Sequence, residues 1–83
     1  MWQEGAMKIQ GFKVRYQAKV YDTGSEYGIN GGRISKLLMK QDKKVVAAYD
    51  RGWDMEPSTP EAQIALQILL EEYGQDAEED DDD

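Results

Sequence analysis

The chain has 83 residues, contains neither cysteine nor histidine, and carries a formal net charge of −7 at pH 7. Its length predicts one small domain, and the composition excludes disulfides and removes the side chains that most often serve acid–base and nucleophilic catalysis. We therefore expect a non-enzymatic domain with no metal and no cofactor.

The first two predicted strands form a hairpin. Residues 12–21 alternate strictly between apolar and polar side chains, which is typical of a strand with one buried face. Residues 7–10 alternate as well, and the Gln10–Gly11 pair suits a tight turn between the two strands. Trp2 is expected to extend the first strand or to cover the edge of the core.

Two turn-rich loops frame the remaining strands. Residues 22–32 contain four glycines and an asparagine, which indicates a loop. Residues 33–40 are expected to form a third strand, with a bulge near Ile34 where the alternation changes phase. A fourth strand is predicted over residues 45–49, and residues 50–58 are interpreted as a second loop.

A helix is predicted after the second loop. Thr59 can cap its first turn, Pro60 suits the first helical position, and Ser58 with Glu61 fits a capping box. The helix is expected to end at about Tyr73, before a glycine. The side chains expected to face the sheet share one helical stripe: Ala62, Ala65, Leu66, Leu69 and Tyr73.

Together these elements predict an α+β fold over residues 1–75, a four-stranded antiparallel meander with one C-terminal helix packed on one face (ββββα). Residues 76–83 hold seven of the seventeen acidic side chains, so the rest of the chain is neutral, with ten acidic and ten basic residues. Because like charges repel and bury nothing, we expect residues 76–83 to be a disordered acidic tail. Three roles are open for it: to solubilise the domain, to shield a basic face, or to engage a basic partner.

The loops at residues 24–33 and 50–56 follow or precede strands at the same end of a meander, so we expect them to be adjacent. Tryptophan, tyrosine and arginine dominate the energetic centres of interfaces. The residues expected to bind a partner or a ligand at this edge are Tyr27, Asn30, Arg33, Arg51, Trp53 and Asp54. Alternatively, Trp53 covers the core between the fourth strand and the helix.

Two further surfaces are candidates for binding. The open face of the sheet is expected to carry six of the ten basic residues, with Tyr21 as the one aromatic side chain near them, and it suits a nucleic acid or an acidic partner. Its basic residues are Lys8, Lys13, Arg15, Lys19, Lys36 and Lys40. The alternative is an ordinary solvated face. On the helix, Ile64 and Ile68 lie opposite the sheet-facing stripe and indicate a homodimer or partner contact, or simply isolated apolar surface residues.

The stretches YDTGSEYGINGGRISKL (residues 21–37) and YDRGWDMEP (residues 49–57) resemble a small domain family of unknown function found in Gram-positive bacteria and their phages or prophages. The resemblance covers residues 2–73 and does not extend to the acidic tail. It implies a phage or prophage context and transfers no catalytic residue.

The first functional hypothesis is a binding protein in the cytoplasm of a bacterial host that inhibits a nucleic-acid-processing defence protein, as an anti-CRISPR protein does. It depends on the missing catalytic side chains, the loop edge and the acidic tail. Weak nucleic-acid binding on the basic sheet face and a ligand site at the 24–33/50–56 loop edge are the alternatives. No apolar run approaches the roughly eighteen residues of a membrane span.

Overall fold

The computed structural model describes residues 1–73, which form one antiparallel sheet of five strands and one α-helix. The expected α+β class is confirmed. The elements in chain order are β1 (Trp2–Ile9), β2 (Phe12–Val20), β3 (Ile34–Gln41), β4 (Lys44–Asp50), β5 (Trp53–Met55) and α1 (Pro60–Tyr73). The acidic tail predicted over residues 76–83 lies outside the described residues. No helix within residues 1–73 is long and apolar enough to cross a membrane.

The strands follow one another as a meander, in the order β1-β2-β3-β4-β5, with every neighbouring pair antiparallel. Two-residue turns with positive φ at both positions join β1 to β2 and β3 to β4. Gln10 and Gly11 have φ values of 53° and 89°, and Asp42 and Lys43 have φ values of 53° and 67°. Such turns match the twist of the strands that they join, and they fix which residues lie opposite one another.

The prediction of four strands is wrong, because the segment interpreted as a loop contains β5. Tyr49 lies opposite Trp53 and Ala48 lies opposite Met55, so the chain reverses directly after β4. Arg51 makes this turn with a φ of 62°. Three residues are too few to show an alternation of apolar and polar side chains, and the sequence pattern therefore gave no sign of this strand.

One face of the sheet forms the core with α1, which lies across β1, β2 and β3. Val14 and Met39 from the sheet and Ala65 and Leu69 from the helix are completely buried there. The sheet-facing stripe predicted for α1 is confirmed, since its alanines and Leu69 are buried and its other members are partly buried against the core. The small alanine side chains let the helix backbone lie close to the sheet.

A polar network anchors the start of α1 to β3. Thr59 caps the helix as predicted: its Oγ1 accepts a hydrogen bond from Ala62 N at 3.0 Å and donates one to Gln41 Oε1 at 2.8 Å. Gln41 Nε2 donates in turn to Glu61 Oε1 at 3.1 Å. The predicted capping box is wrong. The Glu61 carboxylate accepts a hydrogen bond from Gln41, and both the Ser58 hydroxyl and the Ser58 N–H donate to the Val46 carbonyl of β4.

Candidate functional site

The face of the sheet opposite α1 carries a patterned group of basic side chains. Val14 and Ala18 of β2 are buried beneath the helix, so the residues that alternate with them along the strand project to the other side. These are Lys13, Arg15, Gln17 and Lys19. The strand register places all six predicted basic residues on this open face and pairs them across strands. Lys8 lies opposite Lys13, Arg15 opposite Lys40, and Lys19 opposite Lys36.

This arrangement brings like charges together. Directly opposite residues in an antiparallel pair are close enough to interact, and like charges there destabilise a sheet by about 0.2–1 kcal/mol for each pair. Two carboxylates, those of Glu4 and Asp50, lie on the same face by register. Within residues 1–73 the one ion pair joins Lys36 Nζ to Asp50 Oδ1 at 3.9 Å, and both side chains are well exposed. The cations of the open face therefore outnumber the carboxylates beside them, which are Asp50, Glu4 and, in the turn after β3, Asp42.

The open face is not flat, because three hollows lie along it. One of about 310 Å³ is bordered by Lys13, Arg15 and Lys40. A central one of about 550 Å³ includes Leu38 between the basic residues. A third of about 370 Å³ lies where β2 and β3 meet the loops and is bordered by Lys19. A chain-like ligand could therefore follow these hollows along β2 and β3.

Aromatic side chains gather at one end of this face. Trp2 lies opposite Lys19 and is 54% exposed, and the Lys19 Nζ lies 5.5 Å from the centroid of the exposed Tyr21 ring. From the sequence, only Tyr21 was predicted to lie on this face. Tyr27 was predicted for the loop edge, and Trp2 was predicted to extend the first strand or to cover the edge of the core. The phase of β1 could have found Trp2, because Trp2 and Lys8 are both even-numbered positions of one uninterrupted strand.

The two loops expected to be adjacent touch through Tyr27 and Arg51. The guanidinium carbon of Arg51 lies 4.8 Å from the centroid of the Tyr27 ring, and the Tyr49 hydroxyl donates a hydrogen bond to the Tyr27 carbonyl at 2.8 Å. Arg51 N also donates to the Ser35 carbonyl at 3.0 Å. These contacts fix the Tyr27 loop to the last part of β4 and the turn at Arg51 to the start of β3, and both side chains lie at the border of the open face.

The other residues predicted for this edge do not line the hollow that Tyr27 and Arg51 border. Trp53 packs edge-to-face against Tyr49 with ring centroids 4.9 Å apart, on the core side of the sheet. This is the alternative in which Trp53 covers the core. Arg33 is partly buried and its Nε has no hydrogen-bond partner among the described residues. Asn30 and Asp54 are exposed.

The outer side of α1 shows the predicted pair of isoleucines. Ile64 and Ile68 are 37% and 40% exposed, one turn apart, whereas Leu69 on the opposite side is fully buried. Nothing within residues 1–73 covers them beyond their own helix surroundings. They stay a predicted contact surface for a second copy or a partner.

The charged surroundings of Tyr21 alter its acidity. Lys19, as a hydrogen-bonding and charged neighbour, lowers the pKa of the Tyr21 hydroxyl below its ordinary value of 10.0, and Ser35 and Lys36 lower it further. An anion is thus stabilised at this position. For metal ions, residues 1–73 contain no group of three carboxylates able to hold one.

A family model described as a domain of unknown function, DUF7678, matches residues 1–74. No curated protein and no solved structure matches the chain. The match covers the sheet and the helix and stops before the acidic segment.

Proposed function

The chain belongs to the DUF7678 family, and we propose that it is a non-enzymatic protein that binds single-stranded nucleic acid on the open face of its sheet. The observation that carries the proposal is the set of three cross-strand cation pairs on that face. Each pair destabilises the free protein, and a polyanion that lies across all three pairs would remove the repulsion.

The spacing of the cations suits a strand of phosphates. Lys13 and Arg15 are two residues apart on one face of β2, so their side chains leave the sheet about 7 Å from each other. The hollows beside them supply room for the backbone of a ligand. Phosphate contacts of this kind give affinity that does not depend on base sequence.

A single strand fits the face better than a duplex. Proteins that bind single strands combine a basic groove with aromatic rings on which bases stack, and Trp2, Tyr21 and Tyr27 are about half exposed beside the basic residues. A duplex is commonly read by a helix placed in the major groove. The one α-helix of residues 1–73, α1, contains no basic residue and three glutamates, so the phosphates of a groove would repel it.

The direct test compares Lys40→Gln with Lys44→Gln in the full chain. Lys40 lies on the open face, whereas Lys44 pairs with the buried Gln41 and projects to the helix side. We measure fluorescence anisotropy of a labelled oligonucleotide over a range of salt concentrations. Lys40→Gln should weaken binding and reduce the salt slope by about one, while Lys44→Gln should change both much less.

The same pair of variants separates function from stability. Because Lys40→Gln removes the repulsion with Arg15, it should stabilise the fold by about 0.2–1 kcal/mol while it weakens binding. A urea titration measures the first effect. The proposal fails if the full chain and a chain ending at residue 75 both leave the oligonucleotide unbound at low salt, or if Lys44→Gln weakens binding as much as Lys40→Gln.

A second candidate function is protein binding through α1, and the exposed Ile64 and Ile68 support it. The expected inhibition of a nucleic-acid-guided defence protein, in the cytoplasm of a Gram-positive host of a phage or prophage, belongs to this candidate. Replacing both isoleucines with glutamine should leave the fold intact. Sedimentation of the wild type and the double variant then tests whether the face joins two copies, and a loss of self-association in the variant would support it.

A further inference from the structure

A hollow at one end of the open face differs from the others because cations, aromatic rings and a buried hydroxyl meet there. Its volume is about 370 Å³. We call it the Ser35 pocket. Its functional side chains are those of Lys19, Lys36, Arg51, Tyr21, Tyr27 and Ser35.

Ser35 lies in this pocket because the ladder between β2 and β3 is irregular. Lys19 pairs with Lys36 and Val20 pairs with Ile34, so Ser35 is the extra residue of a bulge. The residue is only 6% exposed, and its Oγ makes no hydrogen bond within 3.5 Å to a described residue, although it lies near enough to the Tyr21 hydroxyl to lower the pKa of that group. A buried hydroxyl without a short hydrogen bond is available to a ligand that brings a strong acceptor into the pocket.

Three cations line the same pocket as this hydroxyl. Lys19 and Lys36 are direct cross-strand neighbours. Arg51 comes from the turn after β4, where a φ of 62° and a hydrogen bond from its N to the Ser35 carbonyl hold it beside Ser35. A non-glycine residue in this region of φ is uncommon and is retained where the surroundings require it. Asp50 offsets part of the charge through Lys36, so the pocket is suited to a ligand with about two negative charges.

The rings of Tyr21 and Tyr27 form the walls of the pocket. Each ring has one of the cations over it: Lys19 at 5.5 Å from the Tyr21 centroid and Arg51 at 4.8 Å from the Tyr27 centroid. These contacts limit the conformations of two long side chains before a ligand arrives. The lowered pKa of Tyr21 agrees with this geometry, because the groups that favour a tyrosinate there would favour another anion as well.

We propose that the Ser35 pocket binds a phosphate monoester, with Ser35 Oγ as hydrogen-bond donor and Lys19, Lys36 and Arg51 as the charge partners. A phosphate monoester carries about two negative charges near neutral pH, whereas each internal phosphate of a strand carries one. The inference rests on the proposed function, because the monoester would be the terminal phosphate of a strand on the open face. The pocket lies at one end of the row of hollows, and a nucleic-acid strand bound along that row would have its terminus there.

The test uses the full chain and one oligonucleotide sequence in three forms, with a 5′-phosphate, with a 3′-phosphate and with neither. We expect one phosphorylated form to bind about tenfold more tightly than the unphosphorylated form. The terminal phosphate adds a charge-assisted hydrogen bond and ion pairs, and together these account for an effect of this size. Ser35→Ala should reduce this difference, because the hydrogen bond is lost while the three cations remain, and it should change the affinity for the unphosphorylated form much less. It should also fold at least as stably as the wild type, because it removes an unpaired hydroxyl.

A second readout does not need the strand. Inorganic phosphate in the pocket should raise the pKa of Tyr21, since a nearby anion opposes ionisation of the hydroxyl, and the ring carbon shifts of Tyr21 in an NMR titration report this. Ser35→Ala should reduce the effect. Equal affinities for all three oligonucleotides, with strong binding of each, would overturn the pocket and leave the proposed function standing. A phosphate-dependent shift of Tyr21 without any oligonucleotide binding would support the pocket and overturn the proposed function.

Discussion

At the scale of single residues, Gly28 shows how tightly the Tyr27 loop is built. A β-carbon on Gly28 would collide with the Gly32 carbonyl group and lie 2.8 Å from its carbon. Backbone hydrogen bonds from Gly28 N to the Ser25 carbonyl and from Gly31 N to the Gly28 carbonyl fix the same turn. Because the contacting atoms belong to the backbone, any larger residue would force the loop itself to shift, so glycine is favoured there for steric reasons.

The first prediction follows from this contact. Gly28→Ala should destabilise the protein by about 1–3 kcal/mol, because the backbone of the loop must shift to admit the methyl group. Gly52→Ala is the matched control, since a β-carbon there meets nothing within 4 Å, and its effect should stay within about 0.5 kcal/mol. Urea titrations of the two variants test this; equal midpoints would contradict it.

The second prediction concerns the alkaline limit of stability. Burial, followed by the neighbouring Tyr73 and Glu72, raises the pKa of Tyr16 above its ordinary value of 10.0. In the unfolded chain Tyr16 loses its proton near pH 10, while in the folded protein it retains the proton to higher pH. Stability should therefore fall as the pH rises from about 10 towards the folded pKa.

Thermal unfolding of variants at several alkaline pH values tests the sign. Tyr16→Phe should lose less stability than the wild type over this range. Tyr21→Phe should lose more, because the pKa of Tyr21 is lowered in the folded protein and its ionisation favours folding above the unfolded pKa. Parallel pH profiles for all three proteins would show that these hydroxyls have the same pKa in both states.

At the scale of elements, the strands and the helix could be predicted where their periodicity is long. The alternation over β2 fixed both faces of the sheet, and the spacing of alanines and leucines fixed the buried side of α1. β5 could not be found, since its three residues follow a turn at Arg51 that is not signalled by residue type alone. The predicted capping box is wrong because Glu61 accepts a hydrogen bond from Gln41, a residue distant in sequence that a local motif does not include.

The third prediction belongs to the junction between α1 and β3. Thr59→Ala should destabilise the protein by about 1–2 kcal/mol, because the helix loses its cap and the buried Gln41 loses a donor. Thr59→Ser retains the hydroxyl and should remain within about 0.5 kcal/mol of the wild type. The measurement is equilibrium unfolding in urea, and a Thr59→Ala variant as stable as the serine variant would show that the network contributes nothing.

At the scale of the whole molecule, the candidate site could be predicted only in part. The basic face could be predicted because side chains alternate between the two faces of a strand, so basic residues at every second position lie on the same face. The Ser35 pocket is visible in the sequence only in part. The change of phase near Ile34 predicted the bulge opposite Lys19, but sequence spacing carries no information about the contact between Tyr27 and Arg51, which come from separate loops.

The fourth prediction concerns the acidic residues at positions 76–83. Seven carboxylates account for the whole net charge of −7, and they oppose the approach of a nucleic acid. A chain ending at residue 75 should bind an oligonucleotide about tenfold or more tightly at low salt, and the difference should diminish as salt is added.

A control for this truncation keeps the length and removes the charge. A full chain with asparagine and glutamine in place of the seven acidic residues should bind like the truncated chain. If the neutral variant behaves like the wild type while the truncated chain binds more tightly, length and not charge is responsible.

The separation of charge between the two sides of the sheet affects the orientation in which the protein approaches a charged partner. The open face is basic, and α1 on the other side carries three carboxylates and no cation. Residues 1–73 are neutral as a sum but have an electric dipole across the sheet. In the field of a polyanion this dipole orients the open face toward the polyanion before contact, so a larger fraction of encounters leads to binding. The association rate should therefore fall as ionic strength rises, even for a truncated chain with no net charge.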